Sequence, residues 1–262
     1  MAVRRQRLAR YVVGYSRKSR TLRQAQRLGA IDSGSTVLSD AVRDADLVVL
    51  ATPVHMVVPL AKRLLPLMQR GAILTDVGST KAEIVASLEA RDRASVPFIG
   101  THPLAGSEQR GIDAARADLF NGSLCIVTAT PRTDRRALAS VRRLWRSLVR
   151  RVVLMEPQRH DRLLAAVSHL PHLVAFCLVG ATEREALALA PRSFLDATRV
   201  AKSSPELWDG IFFSNQAAIL NAMKRFEAHW RRVRGQLSRG DRAALLQTLA
   251  RARSARCALE RP

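Results

Sequence analysis

A few short stretches of this sequence carry residues able to do chemistry. The most distinctive is Gly100-Thr101-His102-Pro103-Leu104-Ala105-Gly106-Ser107-Glu108. Histidine exchanges a proton near neutral pH with little tuning, so His102, between Thr101 and Pro103 and close to two glycines and Glu108, is a candidate base or hydrogen-bond acceptor. An isolated histidine is also often a satisfied structural residue. A second concentration is His160-Asp161 followed by Val167-Ser168-His169-Leu170-Pro171-His172. It reads either as donors around a ligand or as a helix bent at Pro171 with incidental histidines. In Asp76-Val77-Gly78-Ser79-Thr80-Lys81, Gly78 admits close backbone approach to a ligand and Ser79 can donate and accept, although the segment alone also reads as a turn or helix cap. Thr52-Pro53-Val54-His55 and Ser16-Arg17-Lys18 complete the set, while Asp161 and Asp196 read equally well as helix-surface charges.

Apolar runs that alternate with helical spacing must position these groups. Residues 11–15, 46–51, 72–77, 98–100, 124–128 and 152–154 read as strands; residues 21–28, 57–68, 81–89 and 135–148 read as helices. Such alternation predicts a Rossmann-like α/β domain with a parallel sheet covered on both faces. In an open parallel sheet, ligands bind outside the carboxyl ends of the strands, where the polar stretches fall. Beyond residue 157 the periodicity is helical almost throughout, so the expected division is a nucleotide-binding domain over 1–156 and an all-α domain over 157–262. The arginine-rich stretch 231–256 is expected to be the least ordered.

The 262 residues suffice for two domains with separate cores. The formal charge of +21 raises the question of nucleic acid, but the basic residues, all arginine except five lysines, are scattered from Arg4 to Arg261. No zinc-finger spacing or aromatic RNA-binding strand accompanies them, so a nucleic-acid partner is not expected. Cys125, Cys177 and Cys257 are odd in number and far apart, which fits neither a disulfide framework nor a metal motif. No run reads as a membrane span, and residues 1–10 lack the apolar core of a secretory signal, so the expected compartment is the cytoplasm.

Taken together, Ala51-Thr52-Pro53, Asp76-Val77-Gly78-Ser79-Thr80-Lys81, His102-Pro103-Leu104-Ala105-Gly106-Ser107-Glu108, His160-Asp161, Val167-Ser168-His169-Leu170-Pro171-His172 and Phe194-Leu195-Asp196-Ala197-Thr198-Arg199-Val200-Ala201, with Trp208 and Asn215 beyond, resemble the prephenate and arogenate dehydrogenases of tyrosine biosynthesis. The resemblance covers about residues 11–225. It implies an oxidative decarboxylation with hydride transfer to NAD or NADP, in a homodimer formed through the helical half. His102 would accept from the ring hydroxyl, with Ser79 orienting both. Glu108 would shape or gate the polar end of the pocket, Arg199 would pair with a substrate carboxylate, and His160, His169 and His172 would be donors near the substrate. Ser16, Arg17, Thr52, Pro53, Asp76 and Gly78 would lie at the cofactor. A hydroxyl beside Arg17, where such folds often carry a carboxylate, leaves NADP as open as NAD.

The resemblance departs in one respect. The family opens with a strand and a Gly-x-Gly-x-x-Gly turn that holds the cofactor pyrophosphate, and residues 2–9 instead look like the end of the helix after it. The expectation is therefore weak cofactor binding or poor folding. Alternatives are a β-hydroxyacid-type dehydrogenase, or a non-catalytic remnant acting as a dimeric helical or basic binding protein.

Overall fold

The computed structural model describes residues 1–89, 95–106 and 111–259. A one-turn helix α1 (Ala2–Arg5) precedes β1 (Val13–Tyr15), α2 (Ser19–Arg27), β2 (Ser33–Ser35) and α3 (Leu38–Val42). Next come β3 (Leu47–Leu50), α4 (Val54–Leu64), β4 (Ile73–Asp76), α5 (Ala82–Glu89), β5 (Phe98–Pro103), β6 (Leu124–Thr128), α6 (Arg135–Leu148) and β7 (Arg151–Met155). The remainder is helical: α7 (Pro157–Leu164), α8 (Leu170–Ala181), α9 (Arg184–Ala188), α10 (Arg192–Ala197), α11 (Pro205–Ser214), α12 (Gln216–Ser238) and α13 (Arg242–Ala258).

The strands form two sheets. β1 and β2 pair in parallel, and β3-β4-β5-β6-β7 form a five-stranded sheet in that order. Strands β3, β4 and β5 run parallel, with Leu50 opposite Asp76 and Asp76 opposite Gly100. The sheet is dominated by parallel pairs, as the alternation of elements predicts, but β6 runs antiparallel to β5 and parallel to β7. The reason lies in the connection. Parallel neighbours need a helical crossover, and the only helical element between β5 and β6 among the described residues is the 3-10 turn Ile112–Ala114.

Local chemistry explains the strongest elements. α6 begins at Asp134, whose side chain accepts from the backbone N–H of Ala137 at 2.7 Å, and it buries Ala137, Val141, Trp145 and Leu148 along one stripe. That stripe packs with Ile99, Cys125 and Val127 in one core. A second core joins β3, β4, α4 and α5 to Trp208 and Ile211 of α11. β5 is buried throughout and extends to Pro103, so His102 is a strand residue opposite Ile126 rather than a loop residue.

Two further expectations need correction. The arginine-rich stretch 231–256 is not irregular but belongs to α12 and α13, the latter capped by Asp241, which accepts from Ala244 N–H at 3.0 Å. One continuous helix, Pro157–Ala181, is also long and apolar enough to cross a membrane by length and composition, with mean hydropathy 1.8 and 22% of the window buried. Ser168, His169, Pro171 and His172 interrupt the apolar run in the sequence, but the surrounding Leu, Ala and Val residues keep the average high. The fold divides into two compact units, Met1–Gln216 and Ala217–Pro262. The candidate site lies in the first.

Candidate active site

The site is built around the carboxyl ends of β4 and β5. Asp76, the last residue of β4, is fully buried. Its carboxylate accepts from Gly78 N–H at 2.9 Å and Thr101 N–H at 3.3 Å and pairs with the ammonium of Lys81, which is also fully buried. Burial raises the Asp76 pKa, and Lys81 and the backbone donors pull it back. A Cβ at Gly78 would stand 2.8 Å from Asp76 Oδ2, so glycine is required there by the buried ion pair itself. Gly100 is required likewise: its Cβ would meet Thr128 Oγ1 at 2.5 Å and Lys81 Cδ at 3.2 Å.

From this base a polar chain runs across the interior. Asp161 on α7 accepts from Lys81 N–H on Oδ1 and from Ala82 N–H on Oδ2, both at 2.8 Å, and so caps the start of α5. Its Oδ1 also lies 2.7 Å from His160 Nδ1. His160 Nε2 in turn lies 2.9 Å from His102 Nδ1, with the rings tilted 60°. His160, Asp161 and His102 are all buried, and burial holds the His102 pKa well below its ordinary value of 6.5, with smaller contributions from His160, Lys81 and His169. His102 is therefore neutral at physiological pH.

Next to this chain sits His169. It closes a π-helical turn, Ala165–His169, inserted between α7 and α8. Pro171 has no N–H to donate to the turn behind it, which favours such a local widening. Asn215 holds the region together, because its Nδ2 donates to the Asp161 carbonyl at 2.8 Å and to His169 Nδ1 at 3.1 Å. His169 Nδ1 is thus an acceptor and the hydrogen lies on Nε2, which is buried with no hydrogen-bond partner among the described residues. Burial lowers the His169 pKa to about 4. One turn on, His172 stacks on Trp208 with ring centroids 3.7 Å apart. Thr80 and Ser214 hydroxyls, 2.9 Å apart, tie the β4 turn to the end of α11.

Of the residues singled out in the sequence, His102, His160 and His169 are brought together, and His172 lies on the adjoining turn. Ser79 is half-buried in the turn after β4. Arg199 opens an exposed 3-10 turn, Arg199–Lys202, that packs against α8. Glu108 lies outside the described residues. Thr52 follows β3, and its Oγ1 is buried without a partner among the described residues, which fits a polar ligand at that strand end. Pro53 caps α4, Ser16 Oγ accepts from Lys18 N–H at 3.2 Å, and Arg17 is exposed. Asp76 has no exposed surface for a ligand, and its carboxylate organises the interior instead. Asp161 was the residue undervalued in the sequence. Its spacing with Pro157, His160 and Leu164, all buried on one face of α7, is the signal that marks it as internal.

Comparison with known proteins agrees with this geometry. A family model described as prephenate dehydrogenase, nucleotide-binding domain, matches residues 1–154. A second, described as prephenate dehydrogenase, dimerization domain, matches residues 156–251. The cyclohexadienyl dehydrogenase of Zymomonas mobilis is 34% identical over 244 residues, 90% of this chain and 83% of its own length. The crystal structure of prephenate dehydrogenase from Aquifex aeolicus in complex with hydroxyphenyl propionate and NAD+ superimposes with a TM-score of 0.90 at 32% identity, covering 99% of this chain and 92% of that one. Synechocystis arogenate dehydrogenase superimposes with a TM-score of 0.82 at 30% identity, covering 97% and 93%. The fold and site thus define a nicotinamide-dinucleotide-dependent oxidoreductase with a helical second part. The chain belongs to the prephenate dehydrogenase family.

Proposed function

We propose that the protein oxidises prephenate to 4-hydroxyphenylpyruvate with loss of carbon dioxide, reducing NAD or NADP, as a step of tyrosine biosynthesis. The observation that carries this reading is the buried chain Asp161, His160, His102, which ends on a neutral histidine near the carboxyl end of β5. When bound, the nicotinamide accepts the hydride. His102 accepts a hydrogen bond from the ring hydroxyl and so stabilises charge on that oxygen as the C–H electron pair leaves. The electron pair of the carboxylate bond enters the ring, carbon dioxide departs, and the ring becomes an aromatic phenol that keeps its hydroxyl.

The other side chains have separate tasks. Ser79 orients His102 and the hydroxyl, His169 donates from Nε2, and His172 completes the polar wall; His160, fully buried with both ring nitrogens engaged, stands behind His102 and not at the substrate as the resemblance implied. Arg199 pairs with a substrate carboxylate, where a guanidinium fork binds both oxygens, and Glu108 shapes the polar end. Ser16, Arg17, Thr52 and Pro53 hold the dinucleotide from the strand ends; Asp76 and Gly78 support that surface from beneath. We divide the chain into a nucleotide-binding part, 1–156, and a helical substrate and dimerisation part, 157–262.

Arogenate is the second reading, favoured by the similarity to the cyclohexadienyl and arogenate dehydrogenases. Steady-state turnover with prephenate and with arogenate, each with NAD and with NADP, decides between them. Turnover of neither overturns both. We also place the protein in the cytoplasm as a homodimer, because the second family model describes a dimerization domain and apolar side chains such as Val167, 73% exposed, and Phe213, 69% exposed, need cover. Light scattering that reports a monomer at micromolar concentration would remove the dimer.

A further inference from the structure

The hydrogen bonds around Asp161 determine where the hydrogens lie on two histidines. Both Asp161 oxygens already accept backbone N–H groups, Oδ1 from Lys81 and Oδ2 from Ala82. A carboxylate in that setting offers His160 Nδ1, at 2.7 Å, only an acceptor, so His160 Nδ1 carries the hydrogen. A neutral imidazole that donates through one nitrogen accepts through the other. His160 Nε2 is then the acceptor in the 2.9 Å contact to His102 Nδ1, and His102 must donate from Nδ1. His102 Nε2 is left with its lone pair.

We propose that Asp161 is a positioning residue which, through His160, fixes His102 in the tautomer whose Nε2 accepts the substrate hydroxyl. The inference rests on the dehydrogenase reading for its purpose but not for its geometry. With the opposite tautomer His102 Nε2 would carry a hydrogen and could only donate to the hydroxyl oxygen, leaving no acceptor for the hydroxyl proton. The same carboxylate caps α5, and the Asp161 carbonyl accepts from Asn215, which sets His169 in the complementary state with Nε2 as donor. One residue thereby presents one acceptor and one donor to the site.

The first test needs no substrate. Nitrogen-15 shifts of labelled histidine in the wild-type protein should show His102 protonated at Nδ1 and bare at Nε2; the reverse pattern overturns the proposal. Because this readout is independent of turnover, its failure is distinguishable from failure of the dehydrogenase reading. Asp161→Ala should give a mixture of both His102 tautomers and a kcat lower by about 10²-fold or more, with KM for the cofactor little changed. A single Nε2-bare tautomer in that variant would equally sink the idea. Should the loss of the α5 cap prevent folding, His160→Ala decides instead. Added imidazole should restore turnover there, while thiazole, of similar size but without an N–H for Asp161, should not. No rescue, or equal rescue by both, overturns the assignment.

Discussion

The two ends of the α/β region are built differently. At one end, β1 and β2 are three residues each, and among the described residues they pair only with one another. They are tied to α1 by Arg4, which pairs with Asp32 at 2.7 Å, side chains 32% and 23% exposed, while Asp32 also accepts from Val12 N–H at 2.7 Å. At the other end, β4 and β5 lie inside the sheet and their polar groups are answered by other buried groups. The contrast teaches that this fold orients His102 in advance, whereas the β1–β2 end depends on a few partly solvated contacts.

The sharpest way to break that comparison is at His102. His102→Asn should lower kcat about 10²–10⁴-fold while leaving dinucleotide affinity, measured by fluorescence titration, unchanged. A loss of cofactor binding instead would mean that the two ends are not separable. Acid offers a second test. Buried His169, with its pKa near 4 against an ordinary 6.5, and His102, also depressed, take protons in the unfolded chain before the folded one. Stability is therefore fully present above about pH 6.5 and declines as pH falls toward 4. Asp76, with its raised pKa, works in the opposite direction but is a single group. Urea midpoints at neutral and mildly acidic pH should show this decline, and a flat profile would remove the buried-neutral histidines from the account.

Glycine substitutions probe packing at each end. Gly100→Ala places a methyl group against Thr128 Oγ1, Val85 and Lys81 and should cost about 1–3 kcal/mol in denaturant unfolding. Gly14→Ala in β1 meets only the side chains of Ile31 and Leu22, with Ile31 Cδ1 at 2.8 Å, and should cost less than about 1 kcal/mol because that terminus can swing aside. Equal costs would erase the contrast. The smallest effect is expected at Arg4→Ala, no more than about 1 kcal/mol for a partly exposed ion pair, and it should shrink further in high salt.

Much of this architecture is legible in the residues alone. Val48-Val49-Leu50, Ile73-Leu74 and Cys125-Ile126-Val127 announce strands, and Asp134 followed by the stripe Ala137, Val141, Trp145, Leu148 announces a capped helix. β2 escapes notice because Ser33-Gly34-Ser35 has no apolar alternation and owes its conformation to pairing with β1. The direction of β6 escapes too, since an apolar run reads the same both ways. At the site, His102 stands out by residue type, but Asp161 sits among Gln158, Arg159, His160 and Arg162, a stretch that looks like helix surface. Its place on the face shared with Pro157 and Leu164, packed against the start of α5, turns it inward.

The π turn at Ala165–His169 makes this part of the chain sensitive to length. A surface helix tolerates loss of one residue by sliding its register, but here a one-residue deletion between 165 and 168 would close the widened turn. A deletion that left the turn wide would instead rotate α8 by about 100° relative to α7. His169 would swing off the face shared with Asp161, and Asn215 could no longer reach both. Substitutions should therefore be far better tolerated along these positions than any change in their number.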